Sequence, residues 1–154
     1  MTGAVTLPAM KISHTFLQVR DQQEALLFYR DVLGLDVRTD APVEQYRWLS
    51  VGPADQPDVE IVLEDPGMGR PADDATAMRQ LMAKGSLGAV IFRVDDCDAT
   101  FERLRAAGAE VMQEPMDQAY GVRDCAFRDP SGNHLRFSAP LGHGNRAVSP
   151  AGGS

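Results

Sequence analysis

Cysteine is scarce: Cys97 and Cys125 are the only two in 154 residues, and they form no Cys-x-x-Cys pair. That count excludes a disulfide framework and a thiol-rich metal centre, and reduced thiols in a cytoplasmic protein are expected. Positive charge is also in short supply, with 15 Lys and Arg against 22 Asp and Glu and a formal net charge of −7. A nucleic-acid partner needs a basic footprint, so none is expected. No apolar run approaches the roughly 18 residues of a membrane span, so no membrane partner is expected. Residues 1–10 lack the basic and then apolar pattern of a secretory signal. Missing too are a Gly-x-Ser-x-Gly nucleophile elbow, a phosphate-cradling glycine loop and a zinc-type Cys/His spacing.

What remains is a globular composition, 44% hydrophobic and 24% charged. Its organising stretch runs from Cys125 to Phe137. Pro130 fixes φ at a turn, Gly132 tolerates positive φ and Asn133 tolerates the left-handed region. Leu135 and Phe137 then alternate with His134 and Arg136, the period-two pattern of a half-buried strand.

From the N-terminus, residues 1–10 read as a loose arm and Lys11 to Val19 as a strand, with His14, Phe16 and Gln18 on one face. Asp21 and Glu24 have the spacing of a capping box. The helix they open runs to about Leu33, buries Leu26, Tyr29 and Leu33, and stops at Gly34. Strands follow at about 35–39, 44–51 and 58–63. The third turns Val59, Ile61 and Leu63 to one side and Glu60 and Val62 to the other. Residues 65–85 form a linker with a short helix carrying Met78, Leu81 and Met82. The first pattern then returns about 75 positions later, Ala89 to Asp96 matching His14 to Asp21 in rhythm. A helix from about Asp96 to Ala107 buries Phe101 and Leu104 and is capped by Gly108. Strands near 109–111, 121–128 and 133–138 follow it, and a disordered tail rich in Gly, Ala, Pro and Ser is expected from 140 to 154. The fold class is α+β: two tandem βαβββ modules, residues 11–64 and 86–139, forming a curved mixed sheet, a cup, with the helices outside.

The duplicated plan, His14-Thr15 in the first strand and Asp129-Pro130-Ser131-Gly132-Asn133 before the last resemble the vicinal-oxygen-chelate superfamily. Glyoxalase I, extradiol dioxygenases, fosfomycin-resistance enzymes and bleomycin-binding resistance proteins share that scaffold, and their chemistries differ. The resemblance implies a homodimer and a ligand site in the cup. In metal-dependent members, three or four His, Glu or Gln side chains there hold a divalent ion. Carried over one at a time, those positions fall on His14, on Glu60 (or Val62, depending on register), on Ala89 and on Arg136. Ala89 has no ligand atom, and a guanidinium has a permanent charge and no acceptor lone pair. The expectation is therefore no metal cofactor. The alternative is a divalent ion such as Zn, Ni, Mn or Fe on His14 and Glu60.

Two functional readings follow. In one, the cup binds a small organic molecule, as in antibiotic or metabolite sequestration. Arg136 and Trp48 anchor that ligand, and Phe16, Gln18, Tyr46, Tyr120 and His134 line the site. In the other, His14 and Glu60 serve as catalytic groups of a lyase, isomerase or dioxygenase, with or without metal. An ion pair between Arg136 and Glu60 is the structural alternative to ligand binding. Asp95, Asp96 and Asp98 begin a helix and read as capping.

Overall fold

The computed structural model describes residues 6–142. The first five residues of the expected arm and residues 143–154 of the expected tail lie outside it. The chain runs through β1 (His14–Gln18), α1 (Gln22–Leu26), β2 (Asp36–Val43), β3 (Tyr46–Gly52), β4 (Glu60–Glu64) and α2 (Ala72–Ala83). It continues with β5 (Ala89–Arg93), α3 (Cys97–Ala106), β6 (Glu110–Asp117), β7 (Val122–Arg128) and β8 (His134–Pro140). This is the expected βαβββ unit twice over, joined by α2. No helix among the described residues is long and apolar enough to cross a membrane.

Both module helices start on an aspartate. Asp21 accepts from the Glu24 N–H at 2.9 Å and Asp96 from the Ala99 N–H at 2.9 Å, each satisfying a backbone donor that a helix start leaves free. The second half of the expected capping box is absent, because the Glu24 carboxylate takes both arms of Arg20 at 2.7 and 2.8 Å. Gly34 and Gly108 end the two helices at φ of 77° and 88°, where a Cβ would be strained. The first helix is not α-helical throughout: Leu27–Val32 widens into π-helical turns, with the Leu33 N–H on the Phe28 carbonyl. In the linker helix Met82 is buried and Leu81 is exposed.

The strands form two four-stranded sheets, ordered β1-β4-β3-β2 and β5-β8-β7-β6. In each, the first strand runs parallel to the last and the middle hairpin is antiparallel. Within one chain they are not hydrogen-bonded into a single sheet, so β1 and β5 each stand at an edge. One face of each sheet enters a common core. Leu17, Leu49, Val51, Ile61 and Leu63 come from the first sheet, and Cys125, Phe127, Leu135, Phe137 and Ala139 from the second. Leu26, Phe28 and Tyr29 of the first helix and Phe101 and Leu104 of α3 complete it. Cys97 and Cys125 are free thiols inside this core, and burial, reinforced by Cys97, pushes the Cys125 thiol up to about 12.

The turn between β7 and β8 locks the modules together. Buried Asp129 accepts from the Ser131 and Asn133 N–H groups at 2.8 Å each, from Asn133 Nδ2 at 2.9 Å and from the Tyr29 hydroxyl at 2.6 Å. Asn133 also donates to the Gln18 carbonyl and accepts from the Gly88 N–H, while Ser131 Oγ accepts from the Arg20 N–H. Burial, then the Asp129 charge, hold the Tyr29 phenol well above its ordinary pKa. The stretch that organises the sequence thus fastens the end of β1 and the first helix to the second sheet.

Candidate functional site

Alternation leaves each sheet a second face, turned away from the common core, and the candidate residues lie on these two faces. On the first, β1 and β4 run in register with His14 opposite Glu60 and Phe16 opposite Val62. Ser50 on β3 stands opposite Val62, which puts Ser50, Trp48 and Tyr46 on the same side. Glu60 and Val62 therefore share this face. His14 Nε2 lies 3.6 Å from Glu60 Oε2, and the Ser50 hydroxyl donates to Glu60 Oε1 at 2.6 Å. The Trp48 ring meets Phe16 edge-on at 5.9 Å between centroids and His14 at 6.3 Å. Phe16 is 49% exposed, a large apolar surface for a strand residue to leave in water. Gln18, at the end of the strand, donates to Glu64 at 2.6 Å, and Arg70 reaches back from the linker to the same carboxylate at 2.7 Å.

On the second face, His134 and Arg136 of β8 stand opposite Ala89 and Ile91 of β5. Arg136 does not pair with Glu60. Its Nη1 donates to Gln113 Oε1 at 2.9 Å and lies 3.2 Å from Asp124 Oδ1. Asp124 is 1% exposed and also receives Gln113 Nε2 at 2.9 Å, Gln118 Nε2 at 2.9 Å and the Tyr120 hydroxyl at 3.2 Å. Burial pushes its carboxyl upward. The hydrogen bonds from Gln118 and Gln113, the Arg136 charge and the Tyr120 hydroxyl together outweigh that and hold its pKa below the ordinary value. His134 is displaced downward by burial, then by the Arg136 and Arg128 charges, which favours neutral imidazole.

The structure thus brings together His14, Glu60, Phe16, Trp48 and Gln18 on one sheet, and His134, Arg136 and Tyr120 on the other. Tyr46 lies on the first face beside the β2–β3 hairpin. Trp48 and Arg136, expected as joint anchors, belong to different sheets that one chain leaves unjoined. Sequence reading missed Asp124, Gln113 and Gln118. The one available signal was a charged residue at an outward position of β7, between Val122 and Ala126. A hollow of about 680 Å³ lies elsewhere, between the end of α2 and the Asp129 turn. Two of its cations, Arg20 and Arg79, are already paired with Glu24 and Asp65.

The donor set can be tested against a divalent ion. His14 and Glu60 offer one nitrogen and one carboxylate, Ala89 offers nothing, and Arg136 brings a fixed positive charge held by Asp124. Among the described residues no three His, Cys, Asp or Glu side chains are placed to hold a metal ion together. Structural and catalytic sites for such ions use at least three protein donors in the usual case, and these residues do not fit one.

A family model described as Glyoxalase/Bleomycin resistance protein/Dioxygenase superfamily matches residues 11–137. The crystal structure of UcmS2 is 38% identical with a TM-score of 0.78, over 85% of this chain and 98% of that one. TnmS3, described as an antibiotic binding protein from Streptomyces sp. CB03234, is 30% identical with a TM-score of 0.70, over 88% of this chain and 99% of that one. A lactoylglutathione lyase of Haemophilus influenzae is 31% identical over 132 residues, covering 83% of this chain and 91% of that protein.

Proposed function

The chain belongs to the Glyoxalase/Bleomycin resistance protein/Dioxygenase superfamily, and from that premise we propose that it binds a planar organic molecule without a divalent metal. Antibiotic or metabolite sequestration is the form of this activity that the likeness to TnmS3 favours. The observation that carries the reading is the Arg136–Asp124 pair. Where the resemblance asks for a carboxylate ligand, this chain has a cation already hydrogen-bonded within its own sheet. Trp48 and exposed Phe16 supply flat apolar surface for a ring system. Calorimetry with Zn²⁺, Ni²⁺, Mn²⁺ and Fe²⁺ should give no stoichiometric binding to the purified protein. One equivalent of metal that disappears in His14→Ala would overturn the metal-free reading.

The functional unit in this proposal is a homodimer. The edges β1 and β5 present unpaired backbone, and Phe16 and Ile91 beside them are 49% and 70% exposed. Such edges invite pairing with another strand unless they are covered. A second copy would cover them and bring the Trp48 face of one chain toward the Arg136 face of the other. Light scattering at micromolar concentration is expected to give twice the 16.7 kDa chain mass, and Ile91→Asp to shift it toward the monomer. A monomeric mass for the unaltered chain contradicts the assembly.

A second reading has one observation in its favour. Glu60, held by Ser50 at 2.6 Å and facing His14 at 3.6 Å, is placed as a general base would be, and lactoylglutathione lyases are among the chain's relatives. Chemical change of a bound compound, lost in Glu60→Gln with binding retained, would favour it over sequestration.

A further inference from the structure

Asp124 is buried at the centre of its face, with Gln113, Gln118, Tyr120 and Arg136 converging on it, and that position gives it a task. Its Oδ1 sits 3.2 Å from Arg136 Nη1 and accepts from Gln113 and Gln118, while Oδ2 accepts from the Tyr120 hydroxyl. Nothing that enters from outside can reach it, since only 1% of the residue is exposed. Arg136 differs, with about a quarter of its side chain, 24%, open. Its Nη1 is engaged by Gln113 and Nη2 lies 3.5 Å from His134 Nε2, while Nε has no hydrogen-bond partner among the described residues. A guanidinium in this state still donates hydrogen bonds, but a buried carboxylate at contact distance cancels its charge.

We propose that Asp124 is the specificity-determining residue of the ligand site, setting it to accept an uncharged oxygen acceptor (a ketone, quinone, ether or phenol) and to refuse a carboxylate. This deepens the small-molecule reading above and rests on it. The neighbouring groups agree. Tyr120 and Gln118 are uncharged and spend their donors on Asp124, so neither adds a cation, and the neutral form favoured for His134 adds no charge. A carboxylate docking on Arg136 would give up its hydration for a site of no net charge, whereas a ketone gives up far less.

The test uses two probes of one shape, 2-acetonaphthone and 2-naphthoate, titrated calorimetrically into the full chain with folding checked by circular dichroism. The wild-type protein is expected to bind the ketone at least about tenfold more tightly. Asp124→Asn keeps the shape and the Oδ1 acceptor shared by Gln113 and Gln118, turns the Oδ2 position that receives Tyr120 into a donor and frees the Arg136 charge. It should reverse the order by about tenfold, the usual worth of a charge-assisted hydrogen bond. Arg136→Gln keeps Asp124 and removes its counter-charge, and should widen the wild-type preference. That arm and the wild-type order decide the matter if Asp124→Asn fails to fold. Binding of both probes with the order unchanged in Asp124→Asn, or a wild-type preference for the naphthoate, overturns the role of Asp124 alone. Failure of both probes to bind any folded form overturns the small-molecule reading on which it rests.

Discussion

Asp129→Ala is expected to lower the unfolding free energy by about 3–5 kcal/mol, since stranding a buried donor costs about 1–3 kcal/mol and several are stranded together. The Tyr29 hydroxyl, the Ser131 and Asn133 N–H groups and Asn133 Nδ2 all converge on this carboxylate in a place water does not reach. With the side chain gone the turn has no other acceptor for its two backbone donors, and relaxation recovers only part of the loss. For a domain of this size each kcal/mol moves the melting temperature by about 2–4 °C, so a fall of about 6–20 °C should be seen. Asp129→Asn, which keeps the shape and one acceptor oxygen, should cost less, and Tyr29→Phe about 1–2 kcal/mol. Urea unfolding measures all three. A change below about 1 kcal/mol for Asp129→Ala would mean that the turn repairs itself and the lock is not needed.

Arg136→Met is expected to act twice. It removes the counter-charge of buried Asp124 and so destabilises the fold by about 2–4 kcal/mol, somewhat under the usual cost of breaking a buried pair because Gln113, Gln118 and Tyr120 remain. It also removes the outward donor, and a bound carbonyl compound should lose about ten- to a hundredfold in affinity per folded molecule. From sequence alone the same substitution reads as harmless to the fold; the buried partner changes that. Adding Asp124→Asn should restore most of the stability and none of the affinity, a double-mutant cycle that separates the two effects. If Arg136→Met costs stability without touching affinity, the guanidinium is an ion-pair partner only.

The fold was legible because its signals are local. Asp21 and Asp96 begin helices, Gly34 and Gly108 end them, and the repeat 75 positions on gives the second module once the first is read. Strand limits were less so: β2 runs on to Val43 and β6 to Asp117, past the expected limits, since two-residue alternation says little about where pairing stops. The faces of His14, Phe16, Trp48 and Glu60 followed from the same alternation. What the sequence could not show is who pairs with whom across strands. Glu60 and Asp124 are equally plausible partners for Arg136 on charge alone. Register decides between them, because Ala126 stands opposite Arg136 and Asp124 is next along that face of β7. The π-helical turns after Leu26 have no sequence signature of their own, and although an open edge on each module is implied by the repeat, that β1 and β5 form those edges is visible only from the strand order.

The turn that joins the modules also has a kinetic meaning. Its bonds tie residues 100, 111 and 115 positions apart: Tyr29 to Asp129, Arg20 to Ser131 and Gln18 to Asn133. Contacts that close such long loops come late, after each helix and hairpin has formed from near neighbours. Interactions made after the folding barrier leave the forward rate almost untouched and set how slowly the native state comes apart. Asp129 is therefore expected to act as a latch rather than a nucleus: Asp129→Asn should speed unfolding in stopped-flow measurements and leave the folding rate almost unchanged.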